Sequence, residues 1–154
     1  MTATFKPRLE TLPSAQQSLW PHLAATKELG FTLYGGTAIA LHLGHRLSVD
    51  FDFFSAAPLD RGALKAALPF MVHSSTLQEH DQTWVVLAPC GISGTELVKV
   101  SFFGTIDFGR VGIPKLTDDG VLRVASLDDL MATKLKVLLQ RVESKDYRDA
   151  CQCR

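Results

Sequence analysis

Asp50-Phe51-Asp52 is the stretch whose residue types and spacing point most directly at chemistry. A β-strand places residues i and i+2 on one face, about 7 Å apart at Cα, so two carboxylates there can converge on one or two hard cations, magnesium being the natural choice. Two adjacent acids repel each other unless a cation or a proton relieves them, and on a strand that flanks a core this requires a reason. A strand face turned to solvent is the plain alternative.

Upstream lies Gly35-Gly36-Thr37, between a predicted strand and a predicted helix. Free backbone amides and a helix N-terminus at such a junction receive a phosphate, and glycine lets it come close. An ordinary strand-ending turn would use the same residues. Together the two elements say more: a phosphate cradle followed by paired carboxylates on the next strand is the arrangement that holds an NTP and the metal bridging its phosphates.

These residues need a scaffold. Ser14 to Gly30 carries Ala15, Leu19, Leu23 and Ala24 at helical spacing, with Pro21 as a local distortion and Gly30 as a stop. Phe31 to Tyr34 predicts a buried strand, and Thr37 to Leu43 a helix closed by Gly44. Ser48 to Phe54 alternates, Asp50 and Asp52 against Val49, Phe51 and Phe53, as a half-buried strand does. Leu59 to Leu68 predicts a helix, Trp84 to Leu87 and Leu97 to Phe103 two strands, and Pro89 to Thr95 the hairpin turn between them. Ser126 caps a helix with acids in its first turn, running to about Val142, and another element starts near Lys145. The fold class is α+β: a mixed sheet flanked by helices, with C-terminal helices.

The 154 residues fit a single domain over 1–154, and 46% hydrophobic content suffices for one core. Sixteen basic residues balance sixteen acidic ones, so no global field draws the protein to nucleic acid or a membrane, and an RNA partner would need a local patch. The N-terminal residues lack the apolar core of a secretory signal and no apolar run reaches the roughly 18 residues of a membrane span, which leads us to expect a cytoplasmic protein with no membrane partner. Cys90, Cys151 and Cys153 are too few for a disulfide framework or a four-ligand zinc site. The five histidines show no metal-ligand spacing beside a carboxylate, and Trp20 and Trp84 suit the core better than a base-stacking platform.

The run Leu33-Tyr34-Gly35-Gly36-Thr37-Ala38-Ile39-Ala40-Leu41, followed by Gly44-His45-Arg46-Leu47-Ser48-Val49-Asp50-Phe51-Asp52-Phe53-Phe54, resembles the first motif of the AbiEii/AbiGii-type nucleotidyltransferase toxins, within the DNA polymerase β-like superfamily. That motif is a glycine pair, a helix and an Asp-x-Asp on the following strand, here with the His-Arg-x-Ser lead-in of the toxin branch. A second stretch, from Leu130 through Lys134 and Arg141 to Lys145-Asp146-Tyr147-Arg148-Asp149, resembles the family's lysine, arginine and Lys-Asp motif. On one continuous helix, offsets of 7 and 11 bring Arg141 and Lys145 within about 20° of Lys134, a cationic face suited to a triphosphate or simply to solvent.

The resemblance implies a metal-dependent nucleotidyltransferase with Mg2+ (or Mn2+) on Asp50 and Asp52. Lys134 and Asp146 would act on the reacting groups, and Gly35, Gly36, Thr37, Arg46, Ser48, Lys99, Arg141 and Lys145 would contact the nucleotide. It implies an NTP substrate, an RNA (for example tRNA) or protein acceptor, a cognate antitoxin and a toxin's role. Two departures stand out. Ser101 occupies the place where many relatives carry a third carboxylate, and the family usually continues past the Lys-Asp motif into further helices. Both leave room for an inactive module that binds nucleotide or antitoxin. Phosphatases of the haloacid dehalogenase type and nucleotide-sugar glycosyltransferases, which also use Asp-x-Asp, fit the surrounding residues less well.

Overall fold

A computed structural model of the chain describes residues 3–91, 93–106 and 112–136. Among the described residues eight strands form one mixed sheet: β1 (Thr4–Phe5), β2 (Thr32–Tyr34), β3 (Phe51–Phe54), β4 (Ser75–His80), β5 (Thr83–Cys90), β6 (Glu96–Phe103), β7 (Lys115–Thr117) and β8 (Arg123–Val124), in the spatial order β1-β7-β8-β2-β3-β6-β5-β4. Strand β3 is antiparallel to β2 and parallel to β6, while β5 is antiparallel to both β6 and β4. Helices α1 (Ser14–Leu19), α2 (Gly35–Leu43) and α3 (Arg61–Ala67), with 3-10 segments at Leu9–Thr11, Trp20–Thr26 and Pro69–His73, flank the sheet. Residues 127–136 form a fourth helix, α4. The α+β class with a mixed sheet is therefore as expected, while the continuation to Val142 and the element near Lys145 lie outside the described residues.

Local chemistry explains where the elements begin and end. Pro21 has no amide hydrogen to give, and the α-helix yields at Trp20 to a 3-10 segment, so the expected helix from Ser14 to Gly30 is two pieces. Gly44 ends α2 in the left-handed region at φ 64°, its N–H bonded to the Ala40 carbonyl at 2.7 Å. Asp60 caps α3 by accepting from the Ala63 amide at 3.0 Å, and Ser126 caps α4 by accepting from the Asp129 amide at 3.2 Å.

Several expectations need correction. Strand β3 starts at Phe51, not Ser48; before it the alternation inverts, with Ser48 buried and Val49 51% exposed, because these residues form a loop tied to other elements. The turn is shorter than Pro89 to Thr95, since Pro89 and Cys90 still pair with Leu97 and Glu96. Helix α2 begins at Gly35, which makes the glycine pair its first turn instead of a loop before it.

The core lies on one face of the sheet. Phe51 pairs with Val100 and Phe53 with Phe102; Val86 and Trp84 continue the same two rows on β5. Alternation puts all six on one side, where Leu12, Ala15, Leu19 and Leu23 join them in the core. Phe53 stacks on Phe102 at 5.6 Å and meets Phe31 edge-on at 6.4 Å. Trp20 and Trp84 are both 5% exposed, core residues as expected.

Candidate functional site

The opposite face of β3 carries the acid. Asp52 pairs in register with Tyr34 on β2 and with Ser101 on β6, and Ser101 pairs with Val85 on β5, so Asp52 and Ser101 share one face away from the phenylalanines. Ser101 is 2% exposed, and its side chain favours the charged form of the Asp52 carboxyl. The position read as that of a third carboxylate is thus directly across from Asp52, and a neutral donor fills it.

Burial, followed by the charge of Asp50, pushes the Asp52 carboxyl above the usual carboxylate range; the Ser101 hydrogen bond and the Lys99 charge pull the other way. Lys99 is half-buried on β6, an interior strand of the sheet.

Gly35 brings the start of α2 onto this acid. Its φ is +79°, and a Cβ built on it would stand 2.6 Å from Asp52 Oδ2. Only glycine meets both conditions without displacing the carboxylate. A Cβ on Gly36 would in the same way collide with the Arg46 guanidinium and approach Ser48 Oγ at 3.9 Å. First turn, arginine and acid are therefore in contact range, with no room for a side chain between them. Gly36, Thr37, Arg46, Ser48, Asp50 and Asp52, together with Leu47 and Val49, line a cavity of about 180 Å³.

Asp50 sits in the loop before β3, half-buried. The Thr37 hydroxyl donates to the Asp50 carbonyl and lies 2.6 Å from Ser48 Oγ. Both hydroxyls are buried, Thr37 at 2% and Ser48 at 6% exposure, and they face each other and the loop backbone. Gln16, absent from the residues chosen by motif, donates through Nε2 to the Val49 carbonyl at 2.9 Å. A glutamine on a short amphipathic helix gives no local signal of such a contact; only the tertiary fold creates it.

The structure thus brings together Gly35, Gly36, Thr37, Arg46, Ser48, Asp50 and Asp52, with Lys99 acting on Asp52 through its charge. Lys134 is exposed on α4 and is not among the residues lining this cavity. Arg141, Lys145 and Asp146 lie outside the described residues. Among the described residues no group of three or more His, Cys, Asp or Glu converges. The donor set still fits a hard divalent cation: two carboxylates, one of them burdened by burial and a like charge, on the wall of an opening with room for further oxygen ligands.

Among the described residues no helix is long and apolar enough to cross a membrane. The chain is 29% identical over 121 residues to an uncharacterised protein of Aquifex aeolicus (strain VF5), a match covering 77% of this chain and 55% of that protein. Its fold is similar to the crystal structure of a nucleotidyltransferase-like protein from H. pylori, with a TM-score of 0.54 and 19% identity over 78% of this chain and 54% of that one. The chain spans about half the length of these two relatives. Residues 22–153 match the family described as "Nucleotidyl transferase AbiEii toxin, Type IV TA system". Motif, sheet and family match agree, and this chain belongs to the AbiEii nucleotidyltransferase toxin family, within the DNA polymerase β-like nucleotidyltransferase superfamily.

Proposed function

We propose that the protein transfers a nucleoside monophosphate from an NTP to an acceptor hydroxyl on RNA, such as a tRNA end, or on a protein, and that it is the toxin of a pair whose antitoxin restrains it. The observation that carries this reading is the contact between Gly35 and Asp52, which sets the first turn of a helix and a half-buried carboxylate on the wall of one small cavity.

In this reaction the acceptor oxygen bonds to the α-phosphorus while the bond to the bridging oxygen breaks. Pyrophosphate leaves with the electron pair, and the acceptor gives up its proton. Asp50 and Asp52 would hold Mg2+ or Mn2+, which when bound supplies charge neutralisation at the phosphates. The first turn of α2 at Gly35 and Gly36 would offer backbone amides to phosphate oxygens, and Arg46, which lies against Gly36, would steady their charge. Ser48 and Lys99 belong to the same neighbourhood: Ser48 fixes the cavity wall, and Lys99 moderates the negative field on Asp52. Lys134, Arg141, Lys145 and Asp146 would complete the site from the C-terminal segment, cations toward the leaving phosphates and the acid toward the acceptor.

Ser101 opposite Asp52 favours one second reading, a domain that binds nucleotide or antitoxin without turnover, because the site then has two acids where many relatives have three. Incubation with each labelled NTP, Mg2+ and total cellular RNA and protein separates the two. The transferase reading expects label on an acceptor with wild type and none with Asp52→Ala. Label absent from every acceptor, with NTP still bound, would overturn it in favour of the binding module.

A further inference from the structure

The three residues Ser48, Val49 and Asp50 are each tied to a different element. The Ser48 amide donates to the Thr11 carbonyl in the first 3-10 segment at 2.9 Å. The Val49 carbonyl accepts from Gln16 of α1 at 2.9 Å, and the Asp50 carbonyl accepts from the Thr37 hydroxyl of α2. Gln16 is 6% exposed and Thr37 is 2% exposed, so the donor side of each bond is buried.

The geometry has a direct consequence for Asp50. A peptide group is planar, so holding the Val49 carbonyl orients the plane on the N-terminal side of the Asp50 Cα, and holding the Asp50 carbonyl orients the plane on the other side. With both planes held, the Cα–Cβ direction of Asp50 is determined. Two neutral side chains thereby orient a carboxylate that lines the cavity.

Gln16 bears a cost for this. Its Oε1 is buried and has no hydrogen-bond partner among the described residues. Turning the amide over would set Oε1 against the Val49 carbonyl, two acceptors in contact, so the donor must face the loop and the acceptor is left unsatisfied. A methionine at this position would remove both the unpaired atom and the bond to Val49.

We propose that Gln16 and Thr37 are positioning residues for the metal-binding acid Asp50, acting through the backbone on either side of it. The Thr37 hydroxyl on this account serves the loop and not the phosphates, a revision of the role the motif suggested. The inference rests on the nucleotidyltransferase reading, because it takes Asp50 and Asp52 as the cation site.

The test measures Mn2+ binding to the full 154-residue chain, by loss of the free aqua-ion spin-resonance signal, alongside thermal unfolding, with Asp52→Ala as reference. Thr37→Val removes the hydroxyl at constant shape, Thr37→Ser restores it, and Gln16→Met removes the donor at similar size. We expect Thr37→Val and Gln16→Met to weaken Mn2+ binding about tenfold or more well below their unfolding temperatures, as loss of an orienting partner does. Thr37→Ser should stay within about threefold of wild type on the same scale of metal-affinity changes. Should Thr37→Val fail to fold, Gln16→Met carries the test alone. Folded Thr37→Val or Gln16→Met protein with wild-type affinity, beside an Asp52→Ala protein that has lost it, overturns the positioning role and spares the transferase reading. Equal Mn2+ binding by wild type and Asp52→Ala overturns both.

Discussion

The two faces of β3 divide stability from chemistry within four residues. Phe51 and Phe53 are completely buried among aromatic rings, whereas Asp52 between them is aimed at a cavity and its charge is opposed by its own surroundings. One strand can do both because alternation is strict: what anchors one side fixes the direction of the other. Damage to the phenylalanine face should therefore appear as unfolding, and damage to the acid face as lost binding in a protein that is as stable or more so.

The largest effect should come from the packed face. Phe53→Ala removes a ring stacked on Phe102 and edge-on to Phe31, and we expect a loss of about 3–5 kcal/mol in denaturant unfolding. A loss below about 1 kcal/mol, smaller than that of most core truncations, would mean the aromatic face is not the anchor. Next comes Gly35→Ala, where a left-handed backbone costs about 1–2 kcal/mol for a residue with a Cβ. Its methyl group would also displace Asp52 Oδ2, so binding of a metal–NTP complex should fall by more than the stability loss explains.

On the acid face the expected change in stability reverses sign. The folded-state pKa of Asp52 is raised above its ordinary value of 3.8, so folding takes up a proton between that value and the raised one. Stability contributed by this group is complete below 3.8 and declines as pH rises through the folded pKa. Asp52→Asn should consequently melt higher than wild type at neutral pH and lose that advantage in acid. A variant less stable than wild type at neutral pH would show that the carboxylate is a net anchor and dissolve the contrast between the faces.

The smallest effect concerns a histidine remote from both faces. His42, near the end of α2, stacks on Phe5 of β1 at 4.2 Å and bonds to the Ala125 carbonyl at 2.9 Å. Burial lowers its pKa below 6.5, with Lys115 adding to the effect and the Ala125 bond opposing it. A depressed pKa means stability is present above 6.5 and lost as pH falls toward the folded value, so His42→Gln should show a shallower loss of melting temperature on mild acidification. An unchanged slope would contradict the assignment.

How far the sequence discloses this arrangement depends on the range of the forces involved. The buried pattern of Phe51 and Phe53, the glycine stop at Gly44 and the serine cap of α4 are local and could be read directly. Strand β4 could not: five of its six residues are polar and all six are exposed, and they form a strand only because β5 offers a ladder to pair with. The two- and three-residue strands β1, β7 and β8 are too short to show alternation. At the site, Gly35, Gly36, Asp50 and Asp52 were legible because glycine and paired acids are unusual at such positions. The contacts from Gln16 to Val49, 33 positions away, and from Ser101 to Asp52 arise from tertiary packing and leave no mark in neighbouring residues.

The central claim is that the Gly35 turn and the two aspartates together hold a divalent cation and a polyphosphate. Calorimetric titration of NTP into wild type and Asp52→Asn, each with and without Mg2+, addresses it most directly. The account predicts binding by wild type that depends on Mg2+ and is lost in an Asp52→Asn protein that remains folded. Equal NTP binding by the two proteins, or binding indifferent to Mg2+, would contradict it.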